Sequence, residues 1–308
     1  MMLRYVIWIV LSIAALAQEA PEWEAKAGGK LTFEVASIKP AKGDVGPPGF
    51  PINVSEAYRE TGGRFKADFS LLTYIEFAYK LPPIASLERE MLARLPKWIA
   101  TDAYSIEARA SGHPTKDQMR LMMQALLAER FRLAVHFENK EVPVEILTLV
   151  KAGKPGPNLR PHDEGPACDA GDPLYTPAPA AVIRGDDSAG SVTFPTFCDS
   201  FALIRRPNGT LLMGYRNATM EMIANSLSGA VGQGRPVIDR TGLSGRFDFT
   251  LAWMPDANLP APSASPGAPD PAATSLQALR DQLGLKVEAS KAPLRTLVID
   301  RVERPTEN

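Results

Sequence analysis

Cysteine and histidine are scarce. Only Cys168 and Cys198 occur in 308 residues, with only His113, His136 and His162. That excludes a disulfide-dense scaffold and argues against the Cys/His ligand sets of ordinary zinc sites. No His-Glu-x-x-His, Gly-x-Ser-x-Gly or phosphate-loop pattern is present, which removes the common zinc-peptidase helix, the nucleophile elbow and the P-loop. Neither sign of charge dominates: 34 Lys and Arg stand against 35 Asp and Glu, for a net charge of −1. That argues against a broad electrostatic footprint for nucleic acid or anionic lipid, and leaves room for local patches. No apolar run after the first residues is long enough to span a bilayer, so no stable membrane span is expected in the mature chain.

What is there begins at the N-terminus. "MMLRYVIWIVLSIAALAQEA" carries one early positive charge, Arg4, then an apolar run from Tyr5 to Ala17. The run is about 13 residues, short of the roughly 20 needed to cross a bilayer. Ala15-Leu16-Ala17 is an A-x-A-type cleavage site, so residues 1–17 read as a signal peptide. The expected location is outside the cytoplasm, periplasmic or extracellular. No cysteine follows the cleavage site, so a lipoprotein anchor is not indicated. In an exported chain an even cysteine count makes a Cys168–Cys198 disulfide the default expectation. It would close a loop of about 30 residues and stabilise the fold by on the order of 3 kcal/mol.

Two stretches have linker chemistry. Residues 153–190 are rich in Pro, Gly, Ala and Asp, and residues 255–273 carry a Pro every few positions. Neither sustains a helix or a central strand. The organisation expected is an N-terminal unit over 30–152, a Pro/Gly-rich linker with the cysteine pair over 153–208, and a C-terminal unit over 209–305 with a disordered insertion at 255–273.

Within the N-terminal unit "LTFEVASIKP" alternates as a strand. "SLLTYIEFAYKL" carries the helical stripe Leu71, Leu72, Ile75, Ala78 and Tyr79, with Ser70 as cap and Pro82-Pro83 as stop. "YSIEARA" is a half-buried strand. Thr115 caps a helix whose apolar stripe is Met119, Met122, Met123, Leu126 and Leu127. "FRLAVHFENKEVPVEILTLV" reads as two antiparallel strands turning at Glu138–Glu141. The C-terminal unit repeats the order: strand "TLLMGYR", a helix capped by Asn217 or Thr219 with Gly229 as stop, strand "GRFDFTLAW", helix "SLQALRDQLG", then strands "LKVEAS" and "RTLVIDRVE". Gln124-Ala125-Leu126 recurs as Gln277-Ala278-Leu279. Each half thus reads strand, helix, strand, helix, strand, strand. That predicts an internal duplication and an α+β fold with two helices packed on a small antiparallel sheet in each half.

The phrases "FEVASIKP", "LLAERFRLAVHFENKEVPVEILTLVKAGKP", "GRPVIDRTGLSGRFDFTLAW" and "LGLKVEASKAPLRTLVIDRVERP" span most of residues 33–305. On these the chain resembles a large uncharacterised family of exported proteins from soil Acidobacteria, a domain of unknown function. Some members are fused to membrane metallopeptidase-like sensor regions, so the resemblance implies an extracytoplasmic sensing or interaction role. The helix-then-hairpin units are similar, more loosely, to the small N-terminal domains of outer-membrane secretins and siderophore receptors, which are interaction modules. The family supplies no established catalytic residues.

The residues with chemistry have plain structural readings as well. His136 alternates with Leu133, Val135 and Phe137, as a solvated strand histidine does. The Met119, Met122 and Met123 cluster has the helical spacing of a core rather than of a copper site. In "VIDRTGLSGRFDF", Asp239 closes a turn and Asp248 alternates outward between Phe247 and Phe249. The function expected is a non-catalytic binding or protein-interaction module of the cell envelope, engaging a partner protein through sheet edges, with no cofactor, no metal and no nucleic acid. The alternative is a secreted hydrolase using Asp239, Asp248 and Glu107 as acid–base groups, which requires two of them to converge within about 5–10 Å.

Overall fold

The computed structural model describes residues 21–41, 50–52, 58, 60–164, 195, 198–199, 201–254 and 275–305. In chain order these form α1 (Glu22–Lys26), β1 (Val35–Pro40), β2 (Arg64–Ser70), α2 (Leu71–Ala78), α3 (Ala85–Leu92), α4 (Trp98–Thr101), β3 (Ala103–Arg109), α5 (Lys116–Arg130), β4 (Ala134–Leu149), β5 (Leu159–Pro161), β6 (Phe201–Arg205), β7 (Leu211–Ala218), α6 (Met220–Leu227), β8 (Val237–Asp239), β9 (Phe247–Trp253), α7 (Ser275–Leu283) and β10 (Leu285–Arg301). The expected α+β class holds. Cys168 and the insertion at 255–273 lie outside the described residues.

The first sheet has the order β1-β3-β2 and is antiparallel throughout. Alternation in β2 and β3 sends Phe65, Ala67, Tyr104 and Ile106 inward, where they meet α2 and α5 in one core. Both helices start where the sequence predicts. The Ser70 hydroxyl accepts the Thr73 N–H at 3.3 Å. Thr115 and Gln118 form a reciprocal capping box. Met119, Met122 and Met123 are all buried in this core. The Tyr74 hydroxyl lies 2.6 and 2.8 Å from the carbonyls of Ala67 and Tyr104, tying β2 to β3, and burial pushes its phenol pKa up.

The second sheet has the order β5-β9-β7-β6, so two of its strands come from within 153–208. Phe247, Phe249, Leu251 and Trp253 of β9 pack with Ile223 and Leu227 of α6 and with Leu279 and Leu283 of α7. The α6 cap is Thr219, whose hydroxyl accepts the Met222 N–H, and the helix ends at Leu227 with Ser228 as its C-cap. The stretch before β5 is pinned to the end of α7. Gly156 N–H donates to the Leu283 carbonyl at 2.8 Å and Asn158 N–H to that of Gln282 at 2.9 Å. A Cβ on Gly156 would stand 2.4 Å from the Gly284 nitrogen, so glycine is required at this crossing.

The expected hairpins at the end of each half do not form. β4 is one strand of 16 residues and β10 one strand of 17. They pair with each other in antiparallel register, Leu285 opposite Leu149 at one end and Ile299 opposite Val135 at the other. The polar run Glu138–Glu141 lies in mid-strand and is exposed. The physical reason is that the ribbon passes from one core to the other. Val135, Phe137, Leu297 and Ile299 pack on the first core, while Leu147, Leu149, Leu285 and Val287 pack on the second. Neither core lies beneath the middle, so polar residues are tolerated there without a turn. Each core is thus sealed partly by the other half's last strand, at about 2 kcal/mol per fully buried Leu or Ile.

Candidate functional site

Two places gather polar groups. The first is a cleft of ≈ 990 Å³ bounded by α2, α3, β8, α6 and β10. Leu294 to Ile299 of β10 line it as six consecutive residues. Alternate side chains point to opposite faces of a strand, so a continuous run exposes the strand's edge and not one face alone. The sheet order β10-β4-β8 leaves β10 outermost, with no third strand on that side among the described residues. Lys140 of β4 pairs with Glu90 of α3 at the cleft's wall. Glu76 of α2 faces Glu88 of α3 across it. Burial first, and then the charge and hydrogen bond of Glu88, push the Glu76 carboxyl from its ordinary 4.5 to about 8.

β8 shows what the same sheet does with an extended segment. It runs parallel to β4, with Val237, Ile238 and Asp239 opposite Glu145, Ile146 and Leu147. Val237 is buried in the second core. Arg132 (φ 50°) and Gly284 (φ 65°) both turn the chain into a long strand. Counted from those two residues, Leu297–Ile299 of β10 stand where Glu145–Leu147 stand in β4. One end of the ribbon therefore has a third strand, and the corresponding stretch at the other end lines the cleft.

The second place surrounds Asp248. The β7–β9 register shifts between Tyr215 and Ala218, so Arg216 and Asn217 together oppose Asp248. Asn217 takes φ 56°, a left-handed conformation that asparagine tolerates better than most residues. The bulge turns the buried Arg216 side chain and the Asn217 N–H onto one carboxylate, at 3.2 and 2.9 Å. His162 Nδ1 completes its coordination at 2.7 Å. On the far side of that ring, His162 Nε2 lies 3.5 Å from Cys198 Sγ. His162 thus belongs to a built polar cluster, and its lone place in a Pro/Gly-rich stretch gave no hint of that.

The three acidic residues singled out from sequence sit in three different sheets. Glu107 of β3 is paired 2.7 Å from Lys66 on an exposed face, and that hydrogen bond and charge hold its carboxyl below the usual range. Asp239 lines the cleft, but its carboxylate is used locally: Oδ1 accepts the Thr241 N–H at 2.8 Å and its hydroxyl at 2.7 Å. Asp248 is neutralised by Arg216. Each has its own partners. The other histidines are surface groups. His113 pairs with Glu60, and His136 stands between Asp300 at 2.9 Å and Glu138 at 3.1 Å, whose hydrogen bonds raise its pKa. Among the described residues there is no group of three or more His, Cys, Asp and Glu that could hold a metal ion, and no helix long and apolar enough to cross a membrane.

No curated protein and no solved structure matches the chain. A family model does, over residues 72–302, which includes the cleft, the ribbon and the Asp248 cluster. That match covers most of the sequence, and the chain belongs to the family described as protein of unknown function DUF3738.

Proposed function

We propose that the chain is an exported binding module of the cell envelope, arisen by internal duplication, that captures an extended peptide segment of a partner protein on the outer edge of β10. The observation that carries this reading is the ≈ 990 Å³ cleft along Leu294–Ile299. An edge strand presents unpaired backbone N–H and C=O groups, and an added strand satisfies them. The cleft's β10 side chains Leu294, Thr296 and Val298 are half-buried. They suit a ligand strand that presents β-branched or aliphatic residues, such as Val237 and Ile238 of β8. The signal peptide read from residues 1–17 supports export, and the resemblance to interaction modules supports the class.

The test is a calorimetric titration with a synthetic octapeptide of residues 235–242, Arg-Pro-Val-Ile-Asp-Arg-Thr-Gly, as a free β8 strand. Saturable binding that disappears in Val298→Lys, with the circular dichroism spectrum unchanged, is expected. Binding that survives Val298→Lys, or no binding at all, would remove β10 as the acceptor edge.

A further inference from the structure

We infer that the segment captured at the open end of the ribbon carries a lysine or arginine, whose cation docks on Glu76 and Glu88 in the wall of the cleft. This rests on β10 being the acceptor edge, and it names the side chain that the cleft selects.

The filled end of the ribbon shows the device in use. Glu145 of β4 is buried, a poor place for an unpaired carboxylate. The segment that adds as β8 brings its own cation. Arg235, two residues before Val237, donates from Nη1 to Glu145 Oε1 at 3.1 Å. The backbone closes the same junction, with the Glu145 N–H donating to the Pro236 carbonyl at 2.8 Å. Ladder and ion pair therefore arrive together on one short segment. A strand that supplies the cation is favoured over one that leaves a buried carboxylate uncompensated.

The open end has the carboxyls and lacks the cation. Glu76 of α2 and Glu88 of α3 are half-buried in the cleft lining. Glu76 Oε1 is fully buried and has no hydrogen-bond partner. The other charges of the lining are committed elsewhere or stand in solvent. Lys80 pairs with Asp117 at 3.5 Å. Lys140 pairs with Glu90, and Glu138 with His136 at 3.1 Å. The Arg295 guanidinium lies over the Phe137 ring, 4.1 Å from its centroid. Asp239 is held by Thr241. Arg94, Glu221 and Arg240 are exposed. Among the described residues no ion pair joins Glu76 or Glu88 to a cation. The Glu76 carboxyl instead keeps its proton up to about pH 8. An arriving ammonium or guanidinium takes that proton's place. The Glu76 O–H bond breaks, the proton passes to solvent, and the carboxylate closes on the cation.

The test uses the full chain and two forms of the 235–242 peptide. One is native, and the other has both arginines replaced by citrulline, which keeps the shape and loses the charge. At pH 7 the native peptide is expected to bind about tenfold more tightly than the citrulline form. Calorimetry in two buffers of different ionisation enthalpy should show about one proton released per native peptide bound, and none for the citrulline form. Glu76→Gln should bring the two peptides to the same affinity and abolish the proton release, and Glu88→Gln should narrow the gap. The citrulline form should bind Glu76→Gln as it binds the native chain. Equal affinity of the two peptides for the native chain, with no proton released, would overturn the cation site and leave strand capture at β10 standing. A preference for arginine that persists in Glu76→Gln would overturn it too. Failure of both peptides to bind would remove the acceptor edge itself, and the cation site with it.

Discussion

The two ends of the β4–β10 ribbon differ in what borders them. At the end beside the second core, β4 accepts β8 as a third strand through Glu145–Leu147. At the corresponding stretch beside the first core, Leu297–Ile299 of β10 have no such strand among the described residues and line a cleft whose far wall is α3. The segment after α6 continues as Pro236-Val237-Ile238-Asp239, an extended run that fits an edge. The segment after α2 runs through Pro82-Pro83 into a helix, and Pro cannot donate to a ladder. The same ribbon is therefore completed at one end and left open at the other by the chemistry of two connecting segments.

The comparison can be broken most severely by cutting the ribbon. A chain ending at residue 152 keeps α2, α5 and the first sheet but loses β10, and with it Leu297 and Ile299 from the first core. Loss of two fully buried side chains and of a strand's ladder exceeds the margin of a small domain. The expected result is a chain without cooperative thermal unfolding, and a sharp transition in that fragment would show that the two halves stand alone.

A smaller effect separates the two turns into the ribbon. Gly284 and Arg132 share the left-handed conformation, but only Gly284 is packed against another backbone, with Gly156 N 2.5 Å from where a Cβ would sit. Gly284→Ala should cost about 3 kcal/mol, from strain and overpacking together. Arg132 is exposed, so Arg132→Gly should stabilise by about 0.5–1 kcal/mol through relief of the same strain. Urea denaturation of both variants checks the sign as well as the size. Equal effects would mean the Gly156 crossing is not constraining.

A pH-dependent effect sharpens the open end. The folded Glu76 carboxyl keeps its proton up to about pH 8, whereas an ordinary glutamate releases it near 4.5. Between those values the folded state binds more protons than the unfolded state, so stability falls as pH rises through that window. The melting temperature should decline from pH 5 to pH 9 in the native sequence, and more gently in Glu76→Gln. Parallel curves would indicate that Glu76 does not carry the charge-burial cost at the cleft wall.

Much of the fold was readable because its signals are local. Ser70 and Thr115 are caps, the Met119–Leu127 stripe is a helix face, and the alternation of Phe247, Phe249, Leu251 and Trp253 is a strand. The long strands were misread as hairpins because Glu138-Asn139-Lys140-Glu141 has the composition of a turn. Only the position of two cores, a long-range fact, shows why a strand stays polar in its middle. The candidate site was less legible. Asp239 and Asp248 were visible as acidic residues beside a Gly-rich turn, but Asp248's partners come from a bulge whose one local trace is Asn217, and from His162 far upstream. Glu76 and Glu88 lie on separate helices, and nothing in their spacing announces that they meet.

Residue-resolved amide hydrogen exchange tests the central claim most directly, with and without the 235–242 peptide. The account predicts that the outward-facing amides within Leu294–Ile299 exchange faster than the β4 amides at Glu145–Leu147 in the free chain, and slow on peptide addition. Protection that appears instead on Phe201–Arg205, or slow exchange at Leu294–Ile299 before any peptide is added, would contradict it.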